Sequence, residues 1–292
     1  MAKPRETTEI RRAIVDPVRI GVILTVSNSR TSSTSGIEIS RPQFSNLRIE
    51  QSENIELEEE AMCGRFTLHT DPSEIDEHFC IDVHGELVPR FNISPSQLVA
   101  AVRSPDGPRE LVMLRWGLIP VWATDPAIGN RMINARSETL AEKQSFKKAF
   151  QARRCLIVAD GFYEWQKTGE KKSDKKQPFY IRMKSGKPFG FAGLWERNEK
   201  IGDPIESCTI ITTTPNELMF GLHDRMPAII PPEQYRLWLD PEVQDDLRLQ
   251  HLLQPFPSDE MTAYPVSTLV GSPKNDLPQC IEPLALQKSL LD

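Results

Sequence analysis

Short apolar runs, bounded by polar and turn-forming residues, recur through the chain after residue 62. Runs rich in β-branched and aromatic side chains are typical of strands. The pattern predicts strands at 65–68, 98–103, 111–116, 155–165, 179–183, 190–195 and 208–213. The charged stretch 167–177 is predicted to form a hairpin tip or loop.

The helical signals are shorter and fewer. Asp71 is a capping side chain and Pro72 suits the first helical position, so a helix is predicted from there to Phe79. Further helices are predicted at 137–149, 215–221, 232–238 and 244–253. Strands and helices do not alternate regularly, which disfavours a parallel doubly wound sheet. We therefore expect an α+β fold with a curved, mainly antiparallel sheet and short peripheral helices, in a single domain at 62–292.

Residues 1–61 differ in composition from the rest of the chain. They contain a Ser/Thr-rich run at 27–36 and an acidic run at 56–60, with no helical period. Such a composition is typical of disorder, and the early carboxylates do not suit a signal or transit peptide. We expect either a disordered leader that is removed before Cys63 or a mis-assigned start, with Met62 as the true first residue.

The net charge and the spacing of the cysteines limit the classes of function that the protein can have. The net charge of −6 gives no global basic field, so a nucleic-acid site would have to be a local basic cluster. No apolar run is long enough to span a membrane. The five cysteines are scattered without a CxxC pair, which argues against structural zinc and against a disulfide framework. A cytoplasmic protein is expected.

The motif Met62-Cys63-Gly64-Arg65-Phe66 has a chemistry that depends on where the chain starts. If Met62 is the start and is removed, Cys63 carries an α-amine beside a thiol. Such a group condenses with an aldehyde to a Schiff base, which the thiol then closes to a five-membered ring. An α-amine has a pKa of about 8, so a usable fraction is neutral in the cell. The alternative is an ordinary pair of apolar residues entering a strand.

Two loops carry residues suited to unpaired nucleic acid. Pro95 ends a loop that also contains a base, an aromatic ring and an amide, and Trp122 follows Trp116 across a Gly and a Pro. Aromatic rings on rigid loops stack against unpaired bases. The alternative, a place in the core, is favoured for Trp116 and disfavoured for Trp122.

Polar candidates follow further along the chain. Asn134 and Arg136 precede a predicted helix start and suit an oxyanion or phosphate site, although Arg136 could equally cap a helix or pair with a carboxylate. Glu164 lies among aromatic residues, where a carboxylate tends to have a raised pKa suited to acid–base work. A salt-bridged strand residue is the commoner fate of a glutamate.

His223 is the strongest acid–base candidate among the five histidines, because Asp224 and Arg225 follow it directly. The alternative is a surface histidine in a turn, and this stretch alone does not decide between the two.

Together these motifs resemble the SOS-response-associated peptidase family, the abasic-site processing proteins that crosslink to DNA. The resemblance covers residues 62–283. It is carried by the Cys63 motif, Ile133-Asn134-Ala135-Arg136, Gly161-Phe162-Tyr163-Glu164-Trp165 and His223-Asp224-Arg225-Met226-Pro227, with Pro265-Val266-Ser267 and Asn275 near the end. The one departure is the stretch before Met62, because the family uses its Cys as the second residue of the chain.

The resemblance implies a substrate and a set of roles. Cys63 would supply amine and thiol to an abasic deoxyribose in single-stranded DNA, giving a thiazolidine crosslink, and could also release the leader by self-cleavage. Asn134 would hold the Cys63 end, Glu164, supported by Trp165, would transfer protons, and His223 would open the sugar ring and release the crosslink. The residues implied to bind DNA are Arg65, Arg136, Arg225, Pro95 and Trp122. No metal or cofactor is implied, and we expect a monomer with lyase and peptidase character that joins the nucleoid upon damage.

Two other classes stay open. A cysteine or N-terminal-nucleophile hydrolase would use Cys63, His223 and Glu164 to cleave an amide. A non-catalytic single-strand binder would use the same Arg and Trp residues. A crosslinker needs the amine and thiol of Cys63, a hydrolase turns over peptides without DNA, and a binder is indifferent to Cys63→Ala.

Overall fold

The described part of the chain forms two β-sheets, and short helices lie at the edges of these sheets. The computed structural model describes residues 64–82, 87–105, 107–167 and 176–284. The strands within these ranges are β1 (Phe66–Leu68), β2 (Arg90–Ile93), β3 (Leu98–Arg103), β4 (Glu110–Trp116), β5 (Asn134–Arg136), β6 (Arg154–Ala159), β7 (Gly161–Lys167), β8 (Lys176–Met183), β9 (Phe189–Asn198), β10 (Ile205–Thr213), β11 (Met226–Pro227), β12 (Ile229–Ile230) and β13 (Met261–Pro265).

The helices in the described ranges are short, and several are single 3-10 turns. The α-helices are α1 (Pro72–Phe79), α2 (Lys147–Ala152), α3 (Glu217–Phe220), α4 (Tyr235–Leu239) and α5 (Asp246–His251). The 3-10 helices are Pro126–Arg131, Ser137–Thr139, Pro232–Gln234, Ser258–Glu260, Thr268–Gly271 and Pro278–Cys280. No helix in the described part of the chain is long and apolar enough to cross a membrane.

The larger sheet closes on itself. The five-stranded sheet has the order β13-β8-β7-β1-β2 and is antiparallel throughout. In the eight-stranded sheet the pairings run from β10 through β4, β3, β6 and β9 and return to β10. A closed ring leaves fewer open strand edges. Among the described strands, only the pairings of β10 with β4 and β5 are parallel, so the predicted α+β fold with mainly antiparallel pairing is confirmed.

An aromatic layer joins the two sheets. The ring of Phe66 on β1 lies 5.1 Å from Trp116 on β4 and 5.8 Å from Phe191 on β9. Phe162 on β7 also contacts Phe191, at 5.8 Å. All four side chains are fully buried, and such edge-on aromatic contacts add about 0.5–1.5 kcal/mol each beyond their buried area. This layer fixes which face of β7 is turned toward the larger sheet.

Helix α1 forms as its sequence predicts. The Asp71 carboxylate accepts the amide N–H of Ser73 at 2.9 Å, and Pro72 occupies the first turn, where its missing N–H has no cost. The helix ends at Cys80, which adopts a left-handed backbone conformation with φ of 51°. The predicted range ending at Phe79 is confirmed.

The prediction of one strand at 155–165 is wrong. The run divides at Asp160 into β6 and β7, which belong to different sheets. The Asp160 carboxylate accepts hydrogen bonds from the Thr67 hydroxyl and from the amides of His69 and Thr70, at 2.5 to 2.8 Å. These bonds join the corner at Asp160 to the residues that follow β1, and the chain passes from one sheet to the other at this corner.

The predicted helix at 137–149 is also wrong. Only a 3-10 turn at Ser137–Thr139 and the later α2 form, because the Thr139 carbonyl accepts amides of both Glu142 and Lys143 and closes a turn. The predicted loop containing residues 90–93 is a strand, β2, paired with β1. The predicted hairpin tip at 167–177 falls mainly outside the described residues, although its flanking strands β7 and β8 are paired up to Lys167 and Lys176.

Gly161 is the one position beside the Asp160 corner where a side chain has no room. A Cβ at Gly161 would lie 2.1 Å from the hydroxyl oxygen of Tyr180, whose ring is buried and whose hydroxyl is 2.9 Å from the Thr67 hydroxyl. We expect Gly161→Ala to lower the free energy of unfolding by about 1–3 kcal/mol through overpacking.

Urea unfolding followed by tryptophan fluorescence measures this change. The control is Gly271→Ala, because a Cβ there meets no atom within 4 Å. Equal stabilities of the two variants would contradict the packing argument.

Candidate functional site

The start of the described chain leads into the junction of the two sheets. Cys63 lies outside the described residues, and the site is described from residue 64 onward. The carbonyl of Arg65 accepts an amide N–H from β7 at 3.0 Å. Phe66, the next residue, contacts the ring of Trp116. The segment that follows Cys63 is therefore held between β7 and a buried tryptophan.

Trp116 connects this segment to Asn134. Its indole N–H donates to the carbonyl of Ile133 at 2.9 Å, and its side chain is fully buried. The prediction that Trp116 belongs to the core is confirmed. Asn134 follows Ile133 and is the first residue of β5. The Trp116 side chain therefore lies between Phe66, near the start of the described chain, and the strand that carries Asn134.

Strand β5 places Asn134 and Arg136 on one face. It pairs in parallel with β10, with Asn134 opposite Ile210 and Arg136 opposite Thr212. Side chains alternate along a strand, so these two lie on the face opposite to the buried Ala135. Asn134 is half-buried and Arg136 is exposed, and the two predicted residues are brought together.

Arg225 reaches the same place from the other side of β10. Its guanidinium donates to both carboxylate oxygens of Glu138, at 3.0 and 2.9 Å, and to the carbonyl of Thr212 at 2.7 Å. Thr212 is paired with Arg136 across β10 and β5. Arg136 and Arg225, which are both predicted to bind phosphate, therefore lie next to the same residue. A phosphate at this position would compete with Glu138 for the Arg225 fork.

Glu138 is a residue that sequence reasoning missed as a partner of Arg225, since the two lie 87 positions apart. Burial alone would raise the pKa of the Glu138 carboxyl, but hydrogen bonds, chiefly from Arg225, together with its charge outweigh burial and lower that pKa. The carboxylate is therefore ionised over the physiological range and holds the Arg225 side chain in place.

His223 lies in the loop between α3 and β11. Its Nδ1 is 3.2 Å from the amide nitrogen of Arg225 and 2.8 Å from a carboxylate oxygen of Asp224. A deprotonated Nδ1 accepts the Arg225 N–H, whereas a protonated Nδ1 donates to Asp224. The ring thus has a local partner in either state, an arrangement suited to proton transfer.

Glu164 is buried in β7, with 4 % of its surface exposed. Because side chains alternate, it shares a face with Phe162 and Gln166, and Phe162 packs against Phe191 of the larger sheet. Gln166 donates from its amide nitrogen to the carbonyl of Gly221 at 2.8 Å, two residues before His223. The strand that carries Glu164 therefore touches the loop that carries His223.

Trp165, which the family resemblance implies supports Glu164, is the next residue of β7. It lies on the opposite face of β7, with its ring 6.5 Å from Tyr163. There it packs against the small apolar cluster that contains Tyr163, Tyr180 and Val266. On its own face of β7, Glu164 is flanked along the strand by Phe162 and Gln166.

The Arg65 side chain is turned toward the C-terminal segment. It donates to Oδ1 of Asn92 at 2.9 Å and to the carbonyls of Val270 and Gly271 at 2.7 and 3.2 Å. Burial lowers the pKa of this guanidinium. The fully buried Asn92 adds bonds from its amide nitrogen to the same segment, including the Asn275 carbonyl at 2.7 Å. Arg65 therefore has a structural role that its motif did not indicate.

The two residues implied to bound the path of the strand differ in exposure. Pro95 is half-buried, and Trp122 has 46 % of its surface exposed on the loop after β4. Neither residue is drawn into the apolar core. Among the described residues, no three His, Cys, Asp or Glu side chains are grouped so as to hold a metal ion.

Comparison with known proteins adds evidence independent of this geometry. The family described as SOS response associated peptidase matches residues 62–273. The abasic site processing protein YoqW of Bacillus subtilis is 50 % identical over 225 residues, which cover 76 % of this chain and 99 % of YoqW. The abasic site processing protein YedK of Escherichia coli is 30 % identical over 230 residues, covering 76 % of this chain and 100 % of YedK.

A solved structure of a protein from Bacteroides thetaiotaomicron has the same fold. It superposes with a TM-score of 0.67 at 24 % identity, over 76 % of this chain and 100 % of its own. The range matched by the family includes every predicted site residue from Cys63 to Arg225.

The ion pair between Glu138 and Arg225 predicts a pH dependence of stability. Because the pKa of Glu138 is lowered in the folded protein, its contribution is present above the ordinary carboxyl pKa and is lost as pH falls through the folded value. The pair is partly exposed, so Glu138→Gln should cost only about 0.5–1 kcal/mol of unfolding free energy at neutral pH.

Urea unfolding at neutral and acidic pH tests this expectation. The difference between wild type and Glu138→Gln should shrink as the solution is acidified, while exposed Glu142→Gln serves as the charge-matched control. A difference that grew toward low pH would show that the sign is wrong.

Proposed function

The chain belongs to the SOS response associated peptidase family, and from that premise we propose that it senses abasic sites in single-stranded DNA and crosslinks to them through Cys63. One observation carries the proposal. Asn134, Arg136 and the loop of His223 meet at strand β10, and Trp116 connects Ile133, which precedes Asn134, with Phe66 near the start of the described chain. The names of YoqW and YedK, both abasic site processing proteins, support the class of substrate.

The reaction uses the two nucleophiles of one residue. The α-amine of Cys63 adds to the aldehyde carbon of the ring-opened sugar, and water leaves to give a Schiff base. The thiol sulfur then adds to the imine carbon while its proton moves to nitrogen. The product is a thiazolidine in which carbon is bonded to both nitrogen and sulfur, so no reductant is needed.

Glu164 and His223 divide the proton transfers. Loss of water requires an acid beside the carbinolamine, and the buried carboxyl group of Glu164 is proposed for that task. His223 has a hydrogen-bond partner for Nδ1 in either protonation state, which suits it to opening the sugar ring and to the reverse step. Asn134, on the half-buried face of β5, positions the Cys63 end.

DNA binding relies on a local arginine cluster, since the chain carries a net charge of −6. Arg136 is exposed beside β10. Arg225 is already paired with Glu138, and Arg65 with the C-terminal segment. We propose that Arg136, whose exposed side chain is accessible to a phosphate, binds the strand together with Arg225 and Arg65, with Pro95 and Trp122 bounding the path of the strand.

The leader determines whether the chemistry can occur. When Met62 precedes Cys63, the nitrogen of Cys63 is an amide and cannot form a Schiff base. The acidic run at 56–60 would also repel phosphate near the site. Activity thus requires a chain that begins at Cys63, reached by removal of an initiating Met62 or by self-cleavage. In self-cleavage the Cys63 thiol attacks the Met62 carbonyl, the amide bond to the Cys63 nitrogen breaks to free the amine, and water hydrolyses the resulting thioester to release the leader. The second route gives the protein its peptidase character.

We expect a chain that starts at Met62 to form a covalent product with abasic single-stranded DNA without borohydride, and the uncleaved 292-residue chain to form none. The readouts are a denaturing gel and the intact mass of both proteins. Intact mass reports whether Met62 or the leader has been lost.

Cys63→Ala in the shorter chain is the matched control. It keeps the α-amine but lacks the thiol, so it should give an adduct only when borohydride traps the Schiff base. A stable adduct from Cys63→Ala without borohydride, or crosslinking by a chain whose leader is intact, would contradict the mechanism.

Glu164→Gln should slow crosslinking by about 10²–10⁴-fold, because it removes a positioned proton donor. DNA affinity should be unchanged, whereas Arg136→Ala should weaken binding and reduce its salt dependence. His223→Ala should slow ring opening and release more than binding. Single-turnover crosslinking and fluorescence anisotropy separate these effects.

Glu164→Asp, which keeps the carboxylate but shortens its reach, should recover part of the rate. If all these variants changed affinity alone, the protein would be a plain single-strand binder. Turnover of peptides without DNA, dependent on Cys63, would favour a hydrolase instead.

A further inference from the structure

Phe220, the last residue of α3, is the most exposed aromatic side chain in the described part of the chain. Its exposed fraction is 79 %, whereas that of Trp122 is 46 %. Single exposed apolar side chains are common on protein surfaces. The meaning of Phe220 therefore depends on what lies beside it.

The helical turn that carries Phe220 continues into the loop of His223. The amides of Leu222 and His223 both donate to the carbonyl of Met219, each at 2.8 Å, and Gly221 between them keeps a right-handed helical backbone. Phe220 and His223 are thus three positions apart on one helical turn. Residues at this spacing are neighbours, with Cβ atoms about 5–6 Å apart.

Strand β7 contacts this turn between the two side chains. Gln166 donates from its amide nitrogen to the carbonyl of Gly221 at 2.8 Å. Gln166 lies two residues after Glu164 on the same face of β7. The exposed ring of Phe220 therefore lies at the border of the candidate site, where the strand of Glu164 meets the loop of His223.

The position of Phe220 matches that of a nucleotide beside the lesion. His223 is proposed above to act on the abasic sugar. Successive nucleotides of a stacked strand are about 3.4 Å apart, so a side chain about 5–6 Å from His223 is within reach of the nucleotide that flanks this sugar.

The chemistry of the lesion favours a base as the occupant. An abasic nucleotide has no base, so each flanking base has lost a stacking partner on one face. An aromatic side chain can cover that face, whatever the sequence, because every base has a π-face. A base has no net charge, so the exposed carboxylates of Glu217 and Asp224 on the same turn do not repel it as they would repel a phosphate.

We propose that Phe220 stacks on the base that flanks the abasic nucleotide and takes the place of the missing base. This assignment rests on the proposed function, since it requires His223 to lie at the sugar. In an intact strand the same face is covered by the neighbouring base, so the stack gives the protein a preference for strands that contain the lesion.

Binding of three labelled single strands to the full chain tests the stack. One strand carries a single tetrahydrofuran abasic analogue, which has no aldehyde. The other two carry a second analogue directly before or directly after the first, so that one flanking base is missing. Phe220→Ala should weaken binding of the first strand by about tenfold, within the range for loss of one base–aromatic stack.

The loss should disappear on the strand that lacks the base covered by Phe220 and persist on the other. The slope of log affinity against log salt should stay unchanged, because the ring carries no charge.

Leu247→Ala is the matched control, because this leucine of α5 has an exposed fraction of 80 %. Phe220→Tyr keeps the ring and should retain the affinity. Equal losses on all three strands, or no loss on the first, would overturn the stack. A change in the sedimentation of the free protein in Phe220→Ala, with DNA affinity unchanged, would assign the ring to a contact between two copies instead.

Crosslinking to a strand with a true abasic site is measured separately on the chain that starts at Met62. Phe220-dependent binding without any crosslink refutes the proposed function alone. Crosslinking without an effect of Phe220 on affinity refutes the stack alone.

Discussion

The backbone pairing of β10 is the constraint on which the site depends. This strand hydrogen-bonds in parallel to β4 and β5 and in antiparallel to β9 and β11. Its register sets Asn134 opposite Ile210 and Arg136 opposite Thr212, and the Thr212 carbonyl also receives Arg225. A slip of one residue would turn each of these side chains to the other face. The pairing of β5 with β10 fixes the register of Asn134 and Arg136, and the ion pair with Glu138 holds the Arg225 side chain.

A second constraint acts at the other end of the site. The C-terminal segment is held on β2 by Asn92, and by Asp276, whose carboxylate accepts the Phe91 and Asn92 amides and pairs with Arg90. Arg65 adds bonds to the same segment. The residues just after Cys63 are therefore positioned by a part of the chain some 200 positions away, and the two termini of the described domain stabilise each other.

The sequence predicted the elements whose signals are local. The strand at 98–103 and the helix ending at Phe79 follow from an apolar run and from a capping aspartate, and both form as expected. Strand β5 was not predicted, because three residues become a strand only when β10 is there to pair with them. The candidate side chains could likewise be recognised by chemical type, but their partners could not. Contacts such as Arg225 with Glu138 join distant segments, and no local pattern reports them.

The parallel pairing of β10 also governs the order in which the molecule can fold. Arg115 and Ser207 are neighbours in space but 92 positions apart in the chain (207 − 115), and contacts of such long range form slowly. During synthesis the first strands must wait for β10 before their aromatic side chains can be covered. The candidate site cannot form in part at that stage, because β5 has no strand to pair with. The candidate site and a closed core therefore form in the same step, and an incomplete chain leaves apolar surface and strand edges exposed to aggregation.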